Sequence, residues 1–237
     1  MIKFISKIML QKYLPILFFI SCFIGCKNNE ISEKKVSTPT VSETSSINST
    51  QHNIIFFGNS LTAAYGLEDP SKGFVALIQE RLDSLKMPYH CTNAGLSGET
   101  TAGGAERVDW IIAQQPFDIF ILELGGNDAL RGTAADASQK NLQTIIDKVR
   151  AKNANAKIIL AGMEAPRNMG KTYTDAFHAI YPALAKKNNL TLIPFILDKV
   201  GGIGELNQSD GIHPNIKGNL IVRDNIWNVL KGLLNQS

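Results

Sequence analysis

Four short polar blocks carry side chains able to perform acyl-transfer chemistry: Gly58-Asn59-Ser60-Leu61-Thr62, Asn93-Ala-Gly-Leu-Ser-Gly98-Glu99-Thr100, Gly125-Gly126-Asn127-Asp128 and Asp210-Gly-Ile-His213-Pro214. Acyl transfer needs a nucleophile, a base to take its proton, a group to orient that base, and donors for the oxyanion of the tetrahedral intermediate. Ser60 directly follows an apolar run, so a rigid turn can hold its hydroxyl. An imidazole ordinarily titrates at about 6.5, which suits proton shuttling near neutrality, and His213 supplies one. Asp210, three residues earlier, can reach Nδ1 of that ring and fix its tautomer, leaving Nε2 for Ser60. Glycines at 58, 98, 125 and 126 let backbone N–H groups and a substrate oxygen approach with no side chain between them. Asn127 adds a side-chain amide donor. A lone Gly-x-Ser or Asp-x-x-His is usually a structural turn; the weight lies in the four blocks together and in order.

The elements that must position these blocks alternate. Strands are predicted over Asn53–Gly58, Tyr89–Ala94, Phe117–Leu124, Lys157–Gly162 and Leu190–Phe195. Amphipathic helices are predicted over Gly73–Leu85, Ala105–Gln114 (ended by Pro116), Ala137–Lys152, Thr174–Asn188 and Lys217–Leu234. The third strand, FDIFILEL, is almost continuously apolar, as a strand covered on both faces should be. Strict alternation implies parallel strands joined by helical crossovers, so the expected fold is α/β: a three-layer α/β/α sandwich around a five-stranded parallel sheet. In such sheets ligands bind beyond the carboxyl ends of the strands. The first three blocks follow predicted strands and the fourth precedes the last helix, so all four should meet at one edge.

At these residues the sequence resembles the SGNH hydrolase family, with its flavodoxin-like fold, over essentially all of residues 53–234. The long match Glu123-Leu-Gly-Gly-Asn-Asp-Ala-Leu-Arg-Gly132 points to its bacterial thioesterase/arylesterase/lysophospholipase branch. The resemblance implies Ser60 as nucleophile, with Asp210 and His213 completing the triad. It also implies an oxyanion hole made by the N–H groups of Ser60 and Gly98 and the amide of Asn127. The activity implied is hydrolysis of a carboxylic ester or thioester through an acyl-serine intermediate. Two alternatives stay open: a carbohydrate O-deacetylase of the same family, and a non-catalytic lipid- or glycan-binding lipoprotein. One departure is Asn59, where the family usually has Asp: an amide still hydrogen-bonds but carries no charge. The G-x-S-x-G elbow of α/β-hydrolases is absent. Asp128 reads as a helix cap. Met163–Gly170, with Tyr173 nearby, reads equally as a cleft wall or as an ordinary surface loop.

The first residues are of another kind. Lys3, Lys7 and Lys12 precede an apolar stretch from Tyr13 to Gly25, interrupted by Pro15 and shorter than a bilayer span. The leader ends Phe23-Ile-Gly-Cys26, which resembles a bacterial lipobox, so residues 1–26 are expected to be a lipoprotein signal with Cys26 lipidated; Cys22 is a weaker candidate. Residues 27–51 read as a polar tether and 52–237 as the catalytic domain. The expectation is an exported protein held on the cell-envelope membrane by two acyl chains. Removing the leader takes away three lysines and no acids, so the net +3 falls to zero and gives no ground for nucleic-acid binding. Hydrophobic residues at 44% and charged residues at 19% exclude wholesale disorder and a multi-span membrane protein. Cys91 is then the only cysteine, too few for an internal disulfide, and reads as a buried thiol. His52, His90 and His178 lack an acid at the Asp210 spacing and read as surface or packing residues. No metal-ligand or dinucleotide motif is present, so no cofactor or metal is expected, and the expected partner is a small ester or lipid-like substrate taken by a monomer.

Overall fold

The computed structural model describes residues 51–234. The expected leader, Cys26 and the tether up to residue 50 lie outside the described residues, as do the last three residues of the expected domain. The elements run β1 (His52–Gly58), α1 (Phe74–Ser84), β2 (Tyr89–Gly95), α2 (Thr101–Gln114), β3 (Ile119–Glu123), α3 (Gly126–Leu130), α4 (Ala135–Lys152), β4 (Lys157–Ala161), α5 (Lys171–Asn188), β5 (Thr191–Ile193) and α6 (Ile216–Leu230). The five strands form one parallel sheet in the order β2-β1-β3-β4-β5. Helix α1 packs with α6, while α4 packs with both α2 and α5, so helices cover both faces and the three-layer sandwich is as expected.

Burial explains the sheet. Ile54 to Phe57, Ile119 to Leu122 and Ile158 to Ala161 are all nearly inaccessible, as residues facing helices on both sides must be. Each such large apolar side chain contributes about 1.5–3 kcal/mol by leaving water. The chain steps from β1 outward to β2, then returns past β1 to β3. That reversal leaves a crevice beyond the carboxyl ends of β1 and β3. Gly58 and Glu123, the last residues of those two strands, stand opposite each other there.

Several boundaries differ from the periodicity reading. Helix α2 starts at Thr101, four residues before the predicted Ala105, because Thr100 accepts from Gly103 N and the Asp128 carboxylate accepts from Thr101 N. Gly103 and Gly104 hide that first turn from a pattern search. Gly104 is there for packing: a Cβ on it would stand 2.4 Å from Leu124 Cδ1. Strand β5 stops at Ile193, since Pro194 has no N–H to continue the ladder. Helix α5 begins three residues early and α6 ends four residues early. The short α3 was not foreseen at all.

Candidate active site

Ser60 occupies the tight turn after β1. Asn59 shapes that turn: its Oδ1 accepts from Leu61 N at 2.9 Å and its carbonyl from Ala63 N at 3.0 Å. Asp210 and His213 lie in the loop before α6. Asp210 Oδ1 accepts from the backbone N–H groups of Ile212 (2.9 Å) and His213 (3.0 Å), which fixes the carboxylate relative to the ring. Its Oδ2 lies 2.6 Å from His213 Nδ1, and His213 Nε2 lies 2.8 Å from Ser60 Oγ. A carboxylate, an imidazole and a hydroxyl thus form one continuous chain across 153 residues of sequence. Gln208 ties the two turns together, its amide donating to the carbonyls of Tyr65 (2.8 Å) and Pro214 (3.1 Å). The ring of Tyr65 rests on that of His213 with centroids 4.9 Å apart.

Burial works against the Asp210 charge. The bonds from the His213 ring and from the N–H groups of His213 and Ile212 outweigh it and hold the carboxyl at about 2. The carboxylate stays ionised at any pH where an imidazole can act as base, so it can keep a proton on Nδ1 and leave Nε2 free to accept from Ser60.

Ser60, His213 and Asn127 open onto one cleft of about 250 Å³, whose walls include Leu61, Leu130, Met163, Pro166, Leu197 and Ile212. Asn127 Nδ2 donates to Glu99 O at 2.9 Å, spending one amide hydrogen and leaving the other. Gly98 does not line the cleft wall. It adjoins Asn127 through that bond to the next residue, and Arg131 donates to its carbonyl at 3.2 Å. Its φ of +82° is left-handed, so glycine suits the position. The stretch from Met163 proves to be cleft wall at Met163, Glu164 and Pro166. Tyr173 is not part of that lining; its hydroxyl donates to Thr133 O and its ring stacks on Phe177.

A family model for GDSL-like lipases and acylhydrolases matches residues 56–221, which span all four blocks. The chain belongs to that family. Among GDSL-like relatives, it is 41% identical to "Esterase TesA" of Pseudomonas aeruginosa over 181 residues, 76% of this chain and 89% of that protein. It is 34% identical to "Thioesterase 1/protease 1/lysophospholipase L1" of Escherichia coli over 182 residues, 77% of this chain and 85% of that protein. Among solved structures, the psychrotrophic esterase EstA of a Pseudoalteromonas species, inhibited by monoethylphosphonate, superposes with a TM-score of 0.73 at 32% identity, covering 78% of this chain and all of that one. This GDSL-like chain is accordingly a hydrolase of ester bonds.

Beneath the cleft of this acylhydrolase lie three buried carboxylates whose place the sequence did not reveal. Glu123, 1% exposed, accepts from Asn59 and Thr62. Glu99 takes Arg107 in a two-pronged pair, both contacts 2.6 Å, and the Arg107 guanidinium sits 4.3 Å from the centre of the Phe57 ring. Asp128 accepts from Thr101 N (2.8 Å), Thr101 Oγ1 (2.6 Å) and Ser138 Oγ (3.2 Å), so the helix it caps is the distant α2. The one signal available in the sequence is Glu123, a charge closing the apolar run that starts at Ile119.

None of the residues read as bystanders is itself part of the cleft lining, though His178 reaches Glu164 of its wall. His52 lies 3.1 Å from Asp118 and stacks on Tyr89, His90 is exposed, and His178 is 3.8 Å from Glu164. Cys91 is partly buried on β2, and burial pushes its thiol up to about 12, so little nucleophilic thiolate exists near neutrality. Among the described residues no three His, Cys, Asp or Glu side chains are grouped to hold a metal ion.

Proposed function

We propose that the protein hydrolyses carboxylic esters or thioesters with Ser60 as nucleophile. One observation carries this reading: the unbroken Asp210–His213–Ser60 chain ends at the floor of an apolar cleft beside Asn127. Ser60 Oγ attacks the acyl carbonyl while His213 Nε2 takes its proton. The resulting oxyanion faces the Ser60 N–H and the free hydrogen of the Asn127 amide, and we assign the N–H of Gly98, which adjoins Asn127 but is not part of the cleft lining, as the third donor. Collapse breaks the bond to the leaving group, which departs as alcohol or thiol with the proton from His213. Water then repeats the cycle on the acyl-Ser60 ester, and the acid is released.

The cleft wall decides which half of the substrate it takes. Leu61, Leu130, Met163, Pro166, Leu197 and Ile212 offer no ladder of polar partners for a sugar, so the acyl chain or an aromatic group belongs there. A cleft of about 250 Å³ lies near the small end for ligand sites and suits a short to medium chain. The test is covalent labelling of the protein by a fluorophosphonate together with a panel of p-nitrophenyl esters of graded chain length and an acetylated sugar. Labelling at Ser60 and a preference for the acyl panel are expected; an unlabelled Ser60 sinks the reading.

Asn127→Ala is expected to lower kcat by about 100- to 1000-fold, the usual cost of one oxyanion donor. Thermal unfolding should show the fold retained. Turnover within a fewfold of the parent on a p-nitrophenyl ester would refute the role. The placement in the cell follows from the leader: export, with Cys26 carrying the lipid and the domain held at the membrane surface. Fatty-acid labelling that persists in Cys26→Ala would move the anchor elsewhere.

A further inference from the structure

The turn that carries Ser60 rests on a buried carboxyl for which the reaction as described has no use. Glu123 ends β3 opposite Gly58, where a Cβ would stand 2.5 Å from Glu123 Oε2, so only glycine lets the carboxyl reach the turn. Three donors converge on it, all from residues 59–62. Asn59 Nδ2 donates to Oε1 at 2.9 Å, Thr62 Oγ1 to Oε2 at 2.7 Å, and Asn59 N to Oε2 at 3.2 Å. None of the ion pairs among the described residues includes Glu123. At its other end Asn59 turns its Oδ1 to Leu61 N at 2.9 Å, and that oxygen lies 3.4 Å from Ser60 Oγ. The amide therefore has a fixed sense: nitrogen toward Glu123, oxygen toward the nucleophile turn. Flipping it would break both bonds.

We propose that Glu123 is a positioning residue for Ser60 and that Asn59 is its polar complement, supplying between them a hydrogen that does not titrate. The proposal rests on Ser60 being the nucleophile. With an aspartate at position 59, the same 2.9 Å gap would join two carboxyls, and only a shared proton could bridge them. Raising the pH removes such a proton and sets two negative charges against each other in a buried site. The Asn59 amide keeps its hydrogen throughout.

The surroundings of Glu123 fit this assignment. Burial pushes its carboxyl up to about 7 against the bonds from Thr62 and Asn59, which hold it down. All three bonds are donated to it, so the arrangement is that of the ionised form. From α5, the Tyr181 hydroxyl donates to Leu124 O, and its own ionisation is suppressed by burial first and then by the charges of Asp128 and Glu123. Tyr181 therefore adds no charge near neutrality. Asp128 of α3 is engaged by Thr101 and Ser138.

The test is a two-residue cycle in the full-length chain: the parent, Glu123→Gln, Asn59→Asp and the double variant. For each, kcat and KM on a p-nitrophenyl ester are followed from neutral into alkaline pH, with thermal unfolding alongside. In Glu123→Gln the new amide faces that of Asn59, donor against donor. An unmatched buried group of this kind should lower kcat about tenfold, with KM moving less. Asn59→Asp should lose kcat relative to the parent progressively as pH rises. The double variant exchanges amide and carboxylate, so it should recover most of the Glu123→Gln loss and lack the alkaline decline of Asn59→Asp. A merely structural role predicts additive losses and no pH limb that a second substitution removes. Additive losses in an active parent overturn this inference alone; a parent that hydrolyses no ester overturns the functional reading with it. Should Glu123→Gln fail to fold, the Asn59→Asp profile decides: a profile parallel to the parent's overturns the proposal.

Discussion

Replacing His213 with alanine is expected to reduce kcat on a p-nitrophenyl ester by about a millionfold, the loss typical of removing the base from a Ser-His-Asp unit. The size follows from how little Ser60 has without it. Its Oγ touches His213 Nε2 at 2.8 Å, and the other nearby acceptor, Asn59 Oδ1, is 3.4 Å away and already serves Leu61 N. An amide oxygen is no base near neutrality, so among the described residues no other group hydrogen-bonded to Ser60 Oγ can take its proton. The oxyanion donors are untouched by the change, and residual activity of about 10³- to 10⁴-fold over water should persist. Fluorophosphonate labelling of Ser60 should vanish on the same timescale that labels the parent completely. Thermal unfolding should move little, because the ring is held by Asp210 and Tyr65 at the rim of the cleft and belongs to no core cluster. A variant that keeps even a hundredth of the parent's kcat would show that some other base serves Ser60.

That Ser60, Asn127 and His213 meet at one cleft was legible in the sequence, whereas the groups that hold them there were largely not. Ser60, Asn127 and His213 could be placed together because parallel strands send every strand-to-helix connection to one edge. No knowledge of packing was needed for that. The supports work across elements, at separations a pattern search does not join. Asp128 fixes the start of α2 from 27 residues away, which is why that helix was begun four residues late. Glu123 reaches back 64 residues to the Ser60 turn, and from sequence alone it is only an odd charge in a buried strand. Arg107 and Glu99 are eight apart, but their pairing depends on Arg107 lying over Phe57 of the neighbouring strand. The Asn59 departure had the same origin. Beside Ser60 it reads as a lost charge; the position of Glu123 gives the amide a partner, Asn59 Nδ2 donating to Glu123 Oε1 at 2.9 Å. Each of the three buried carboxylates lies on or holds one of the loops in which the sequence places a candidate site residue. A pre-set site of this kind needs no reorganisation when charge develops on the substrate oxygen.

Asp210→Asn should cost about 10⁴-fold in kcat although it changes one oxygen to nitrogen, and the geometry says why the loss should be so large. Two backbone N–H groups, those of Ile212 and His213, point at Asp210 Oδ1, and the ring Nδ1 lies 2.6 Å from Oδ2. An asparagine here has two orientations. With its oxygen toward Nδ1, its NH₂ group faces two backbone donors, leaving three donors in conflict at one place. With its oxygen toward the backbone, both of those bonds survive and the NH₂ group meets Nδ1 alone. The second orientation keeps more bonds and should win. It makes Nδ1 an acceptor, so the ring proton moves to Nε2 and points at Ser60, where a lone pair is needed. The ring stays in place but carries its proton on the wrong side. Acidity supplies an independent check. Since the Asp210 carboxyl is held at about 2, below the ordinary 3.8, its contribution to stability is present above the ordinary value and is lost as pH falls through about 2. Asp210→Asn should therefore weaken the acid sensitivity of unfolding in that range while leaving the neutral-pH fold intact. Measuring kcat at neutral pH beside acid unfolding separates the two effects. A variant within tenfold of the parent's kcat would mean that something other than Asp210 sets the His213 tautomer.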